Sequence, residues 1–250
     1  MLVVGENSDI AVLPLGATEQ HGPHLPPETD TLIAEAVCRR ACGLLPPSLS
    51  VTVLPAEPVG YSPEHLYSPL TRSLAYDEAV ERWIAIATEA RGKTGAAKFV
   101  MLNAHGGNSP LMTVVATELR QRLSMLAVAT SWTRFGIPDG IIDPADRAFD
   151  IHGGLIETSV MLAIDPGRVD MAKAADFPSA QQVLAGDYDH LRAYGPHAFG
   201  WMMTDLNPDG ACGNAAAATA EKGRALLDHA ARGFAELLKE VDRFDPPWQS

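Results

Sequence analysis

Basic residues are scarce in this chain: 19 Lys and Arg stand against 31 Asp and Glu, a net charge of −12 over 250 residues. That balance argues against nucleic acid or an anionic bilayer as partner, since both need a cationic face. Long hydrophobic runs are missing too. No apolar stretch reaches the ~18 residues that span a bilayer, and the opening "MLVVGENSD" lacks the basic flank and long apolar region of an export signal. Cysteine is limited to Cys38, Cys42 and Cys212, too few for a disulfide framework. Cys38 and Cys42, four apart in a helical pattern, read as small buried residues. A reducing cytoplasm is the expected compartment. Internal repeats, low-complexity tracts and linkers are also absent, so a single domain over 1–250 is expected, long enough for a sizeable core.

What is present alternates. "IAVLPL" (10–15), "VTVLPA" (51–56), "KFVMLN" (98–103) and "MLAVATSW" (125–132) are short apolar runs of the buried-strand type. Helical periodicity fills the gaps. Ile33, Val37, Ala41 and Leu44 share a face that ends at Pro46-Pro47, and Val80, Trp83, Ile84 and Ala87 share another, followed by Gly92. A third helix is predicted to about Leu123, with Ser109 as its N-cap and Pro110 in its first turn. "GLIETSVMLAI" reads as helical, and a last helix is expected over 215–241. Strands apolar on both sides, separated by helices, predict an α/β fold with a largely parallel sheet sandwiched by helices. Residues 57–73 form a Pro/Ser/Tyr-rich loop of a length that tends to be functional. Residues 165–214 carry no clear pattern, and the closing "FDPPWQS" reads as a surface tail.

The chemistry gathers after the strands. "GATEQHGPHLPPETD" (16–30) sets Glu19, His21, His24 and Asp30 among turn residues, and "AHGGNSP" sets His105 after the third run. Ligands of open α/β sheets bind outside the carboxyl ends of the strands, so these two loops can meet. In an extended segment Glu19 and His21 point the same way. Each can serve one of two adjacent ions, with Asp30 as a shared carboxylate and His105 completing the first shell. Mixed imidazole and carboxylate suits zinc, manganese or iron better than calcium. Taken singly, each residue has a structural use. Asp30 can cap a helix, His21 and His24 can hydrogen-bond a turn, and His105 can be a satisfied loop histidine.

"LPLGATEQHGPHLPPETD" (13–30), "FVMLNAHGGNSP" (99–110) and "HGGLIETSVMLAI" (152–164) resemble the creatininase (creatinine amidohydrolase) family. Weaker likenesses lie in "GYSPEHLYSPLTRSL" (60–74) and "GNAAAATAEKGRALL" (213–227). The resemblance implies a three-layer αβα sandwich with a mostly parallel sheet, two divalent metal ions with zinc foremost, and a homo-oligomer, hexameric in creatininase itself. It implies that Glu19, Asp30 and His105 ligate one ion and that His21 and Asp30 ligate the second. His152 matches the proton-transferring histidine, and Gly106 and Trp132 match substrate-contacting positions. Departures fall mainly in the pocket. The family glutamate two residues after the third-motif histidine, a ligand of the second ion, is Gly107 here, which leaves Glu157 as a candidate ligand or a supporting residue. A family tryptophan before the catalytic histidine is Ala148, and the "FPGT"-like loop reads Ser68-Pro69-Leu70-Thr71.

The function implied is a metal-dependent amidohydrolase. Metal-activated water would attack a cyclic amide, formamide or related C–N bond of a small molecule, and His152 would shuttle the proton. Two rivals stand beside it: a peptidase trimming a peptide C-terminus, like the mycofactocin-maturing members, with loop 57–73 lining a groove, and a non-catalytic metal- or anion-binding module. Glu64 and His65 are further candidates for the pocket.

Overall fold

The structure is a computed structural model that describes residues 9–248; residues 1–8 and the last two residues of the closing tail lie outside it. Strands β1 (Ile10–Leu15), β2 (Val51–Val53), β3 (Lys98–Asn103) and β4 (Leu126–Ser131) form one parallel sheet in the order β2-β1-β3-β4. Every residue of β1 and β3 is buried. That is the expected fate of strands covered on both faces, and it explains why they read as unbroken apolar runs.

Alternate side chains feed two cores. Ile10 and Val12 point to helices α1 (Thr29–Cys42), α5 (Leu155–Ile164) and α8 (Ala220–Arg243), meeting Ile33, Val160 and Phe234. Ala11, Leu13 and Leu15 point to α2 (Tyr76–Thr94) and α3 (Ser109–Leu123), meeting Trp83, Met112 and Leu119. The result is the three-layer αβα sandwich. Helices α5 and α8 pack closely because residue 223 is glycine: a Cβ there would collide with the Ser159 carbonyl oxygen.

Several boundaries differ from the sequence reading for local reasons. The 51–56 run is a strand only to Val53, because Pro55 cannot donate to a ladder. The chain rejoins the sheet through Glu57 N donating to Pro14 O (3.0 Å) and Gly16 N to Glu57 O (3.0 Å). Ser109 opens α3 rather than capping it, since a single 3₁₀ turn over Gly106–Asn108 leads in. The second helix runs past Gly92 to Thr94 and stops at Gly95, whose φ of 76° is the left-handed cap. The last helix begins at Ala220 after a 3₁₀ turn at Ala215–Ala217, with Thr219 accepting from Lys222 N (3.2 Å).

The unpatterned stretch 165–214 holds short elements: α6 (Gln181–Asp187), α7 (Met203–Leu206) and an antiparallel pair, β5 (Asp176–Phe177) with β6 (Gly213–Asn214). A short helix, α4 (Pro144–Arg147), precedes α5. In the tail, the Arg120 guanidinium lies 4.4 Å over the Trp248 ring. Among the described residues no helix is long and apolar enough to cross a membrane.

Candidate metal centre

Sheet register sets the site. Leu15 pairs with Asn103, and Asn103 with Ser131, so three strands end in one row. The loops that follow, carrying Glu19 and His21, His105, and Trp132, therefore start at the same rim. Asp30 comes from the first turn of α1, where it is not the cap; Glu28 holds that position and Asp30 is buried at 1% exposure.

The side chains converge. Glu19 Oε1 lies 3.1 Å from His105 Nδ1, and Asp30 Oδ2 lies 3.4 Å from the same nitrogen. Asp30 Oδ1 lies 3.2 Å from His21 Nε2, which is also 3.8 Å from Glu157 Oε2. Asp30 thus turns one oxygen to each histidine, the geometry of a shared carboxylate. His21, Asp30 and Glu157 can each offer one atom, all within 4.8 Å of one another. The same holds for Glu19, His21 and His152, and for Glu19, Glu64 and His105.

Each imidazole is oriented by a backbone carbonyl. His21 Nδ1 lies 2.9 Å from Glu19 O, His105 Nε2 lies 2.9 Å from Tyr61 O, and His152 Nε2 lies 2.7 Å from Gln20 O. A carbonyl only accepts, so these nitrogens carry the protons and the opposite nitrogen of each ring faces the carboxylates. That is how metal-ligating histidines are held. Asn103 fixes the His105 loop, its Oδ1 accepting from His105 N (3.1 Å) and from Asn108 Nδ2 (3.0 Å).

The residues fit a cation. Glu19 Oε1, Glu19 Oε2 and Asp30 Oδ2 are buried with no hydrogen bond. Buried carboxylate oxygens are ordinarily paired or coordinating, so these are oriented for positive charge. The protein answers part of that need with its own protons. Burial alone would push His21 down, but Asp30 pulls it up to about 10. His105 rises well above the imidazole range against the same desolvation, drawn first by Glu19. Burial raises Glu19 and Asp30, but the facing histidines outweigh it and hold both carboxyls down. Glu157 goes up to about 7, mainly by burial, with His21 opposing.

His152 and His65 are different. Burial and the neighbouring charge of His21 drive His152 well below its ordinary range, and burial takes His65 to about 3. Both stay neutral. His152 Nδ1 faces Glu19 Oε1 at 3.6 Å, and its ring lies between those of His21 and His65, with centroids 4.2 and 4.3 Å away. The unpatterned stretch fixes its height: Cys212 N donates to His152 O (2.7 Å) and His152 N to Cys212 O (3.3 Å). His65 places Nε2 3.5 Å from Glu19 Oε1, closer than a loop decoration would sit. Its place in a long loop and in the weaker likeness at 60–74 signalled it in the sequence.

Other candidates sort by position. His24 lies outside the cluster, bonded to Thr158 Oγ1 (2.8 Å) and stacked on Phe177. At position 107 a Cβ would sit 2.5 Å from His105 Nε2 and 2.9 Å from Glu64 Oε1, so only glycine fits. A cavity of about 480 Å³ is lined by His105, Gly106 and Glu157 together with Trp132, Arg134, Arg147 and Tyr194. Residues 57–73 do not line it; Tyr61, Ser62 and Glu64 instead back the far side of His105.

The family profile described as "Creatininase: Creatinine amidohydrolase" matches residues 4–238. A mycofactocin precursor peptide peptidase of Mycobacterium tuberculosis is 30% identical over 241 residues, covering 92% of this chain and 86% of that one. The creatinine amidohydrolase of Pseudomonas putida is 28% identical over 247 residues, covering 92% and 89%. Among solved structures, a Bacteroides fragilis protein provisionally named a creatinine amidohydrolase aligns with a TM-score of 0.80 at 27% identity, covering 96% of this chain and 92% of that one. A creatininase described in its manganese form aligns with a TM-score of 0.72 at 27% identity (97% and 93% covered), and one described as Zn–Zn with 0.72 at 28% (95% and 91%).

Proposed function

The chain belongs to the creatininase family of hydrolases, and from that premise we propose that it cleaves a C–N bond of a small amide with two divalent cations. Glu19, Asp30 and His105 would hold one ion. His21, Asp30 and Glu157 would hold the other, with Glu157 in place of the carboxylate that Gly107 lacks. Zinc suits this donor set first, with manganese or iron as alternatives. Bound there, the ions supply Lewis-acid polarisation of a carbonyl and acidify water.

The chain's own groups do the rest. His152 is neutral, its Nε2 proton is committed to Gln20 O, and its Nδ1 lone pair faces the carboxylates. It is thereby placed to take the proton of the attacking water at Nδ1 and pass it to the departing nitrogen, without which an amine leaves poorly. Trp132, 4% exposed, walls the cavity, and the backbone at Gly106 edges it. The observation that carries this reading is the set of three histidines, each tied to a carbonyl on one side and turned to buried carboxylates on the other. A purified-protein metal count, together with a screen of lactams, cyclic ureas, formamides and short peptides, tests it. Fewer than two ions with no hydrolysis would sink it. The homo-oligomer and the cytoplasmic setting belong to the same proposal.

The peptidase reading draws on the likeness to the mycofactocin precursor peptide peptidase. The cavity of about 480 Å³ that Glu157 and His105 line also has room for a chain end. Cleavage of peptides but not of cyclic amides in the same screen would decide for it.

A further inference from the structure

Two of the residues that line the cavity are exposed arginines. The chain is acidic overall, yet Arg134 and Arg147 both line the cavity beyond the metal centre. Arg134 commits one Nη1 proton to Ala129 O (2.9 Å) and among the described residues engages the rest of its guanidinium with nothing. Arg147, at the end of α4, has no side-chain hydrogen bond or ion pair among the described residues. The other charged groups on the wall are spoken for: His105 and Glu157 belong to the metal cluster, and Asp150 accepts from Ile156 N at 3.3 Å. Elsewhere the wall includes Trp132, Ile137, Ile156 and Leu226, which offer shape but no charge.

We propose that the substrate carries an anionic group, a carboxylate or a phosphate, set apart from the scissile bond and received by Arg134 and Arg147. The planar guanidinium fork matches either anion with paired N–H donors. A neutral ring such as a plain lactam would reach the metal centre and leave both arginines idle. The proposal rests on the reading of the inner end as a metal centre, and it adds what the outer end selects.

Three hydroxamates with the same metal-seeking head test it on the zinc-loaded protein by calorimetric titration. Succinic monohydroxamate has a carboxylate tail, 3-phosphonopropionohydroxamate a phosphonate tail, and butyrohydroxamate a neutral tail of similar length. An anionic probe should bind about ten- to hundredfold tighter than butyrohydroxamate, the usual value of a charge-assisted contact. Which of the two leads tells carboxylate from phosphate. Arg147→Ala, at an exposed position with no partner to lose, should erase most of that advantage and leave butyrohydroxamate unchanged, and Arg134→Ala should do the same. Equal affinity for charged and neutral tails, or an advantage that survives both substitutions, would overturn the proposal. Failure of all three probes would count against the metal centre itself and would take this proposal with it.

Discussion

Two adjacent glycines should respond in opposite ways to one added methyl group. At Gly107 a Cβ would sit 2.5 Å from His105 Nε2 and 2.9 Å from Glu64 Oε1, and would press on the Tyr61 carbonyl as well. That carbonyl is the group that orients His105. Something has to move, and the backbone on one side and a buried ring on the other leave little room. Overpacking of this kind costs about 1–3 kcal/mol. Charged to the His105 ligand geometry, that is a loss of roughly five- to 150-fold in affinity for the ion shared by Glu19, Asp30 and His105. At Gly106 a Cβ would meet nothing within 4 Å, so Gly106→Ala should leave cation affinity and melting temperature unchanged. Competition of the metal-free proteins against a chromophoric chelator gives both affinities, and a thermal melt reports the fold. Gly107→Ala binding two equivalents with unaltered affinity would refute the tight seating of His105.

Asp30→Asn removes the shared carboxylate and should cost both ions, visible as metal-poor protein after dialysis. His152→Ala should keep its metals and lose turnover by about 10²–10⁴-fold, the usual weight of a general acid–base group; full activity in that variant would end its assigned role. His21, lifted to about 10, adds stability that is complete below the ordinary imidazole value of 6.5 and is lost as pH rises through about 10. The metal-free protein should therefore melt lower at pH 10 than at pH 7. Cation binding must displace protons from His21 and His105, so affinity should climb between about pH 6 and 9, and a pH-independent affinity in chelator competition would contradict that. Phe234→Ala, in the core between sheet and α8, should cost about 3–5 kcal/mol in denaturant melts.

Much of this is legible in the amino-acid sequence. β1 and β3 appear at the residues the apolar runs delimit, because a strand buried on both faces has no reason to be anything but apolar. The convergence of the Glu19 loop and the His105 loop followed from their places after parallel strands. The role of Asp30 was ambiguous for a physical reason: an acid near a helix start suits a cap as well as a metal, and only the burial of its oxygens separates the two. Loop 57–73, read as the border of a groove, packs against His105 through Tyr61, Ser62 and Glu64, and where a long loop doubles back is not written in composition. The pairing of Cys212 with His152 was invisible because it is made of main-chain atoms, which leave no mark in side-chain identity.

That pairing carries a consequence for how the molecule can diverge. Main-chain bonds at Cys212 do not depend on the chemistry of the side chain there, so the segment from 165 to 211 is anchored at its end by atoms every residue carries, while within its interior residues 194–200 are all exposed and take no part in a core. Tyr194, at the outer mouth, belongs to that interior. A lineage can thus remodel the entrance to admit new molecules and still inherit a proton carrier held at its old height.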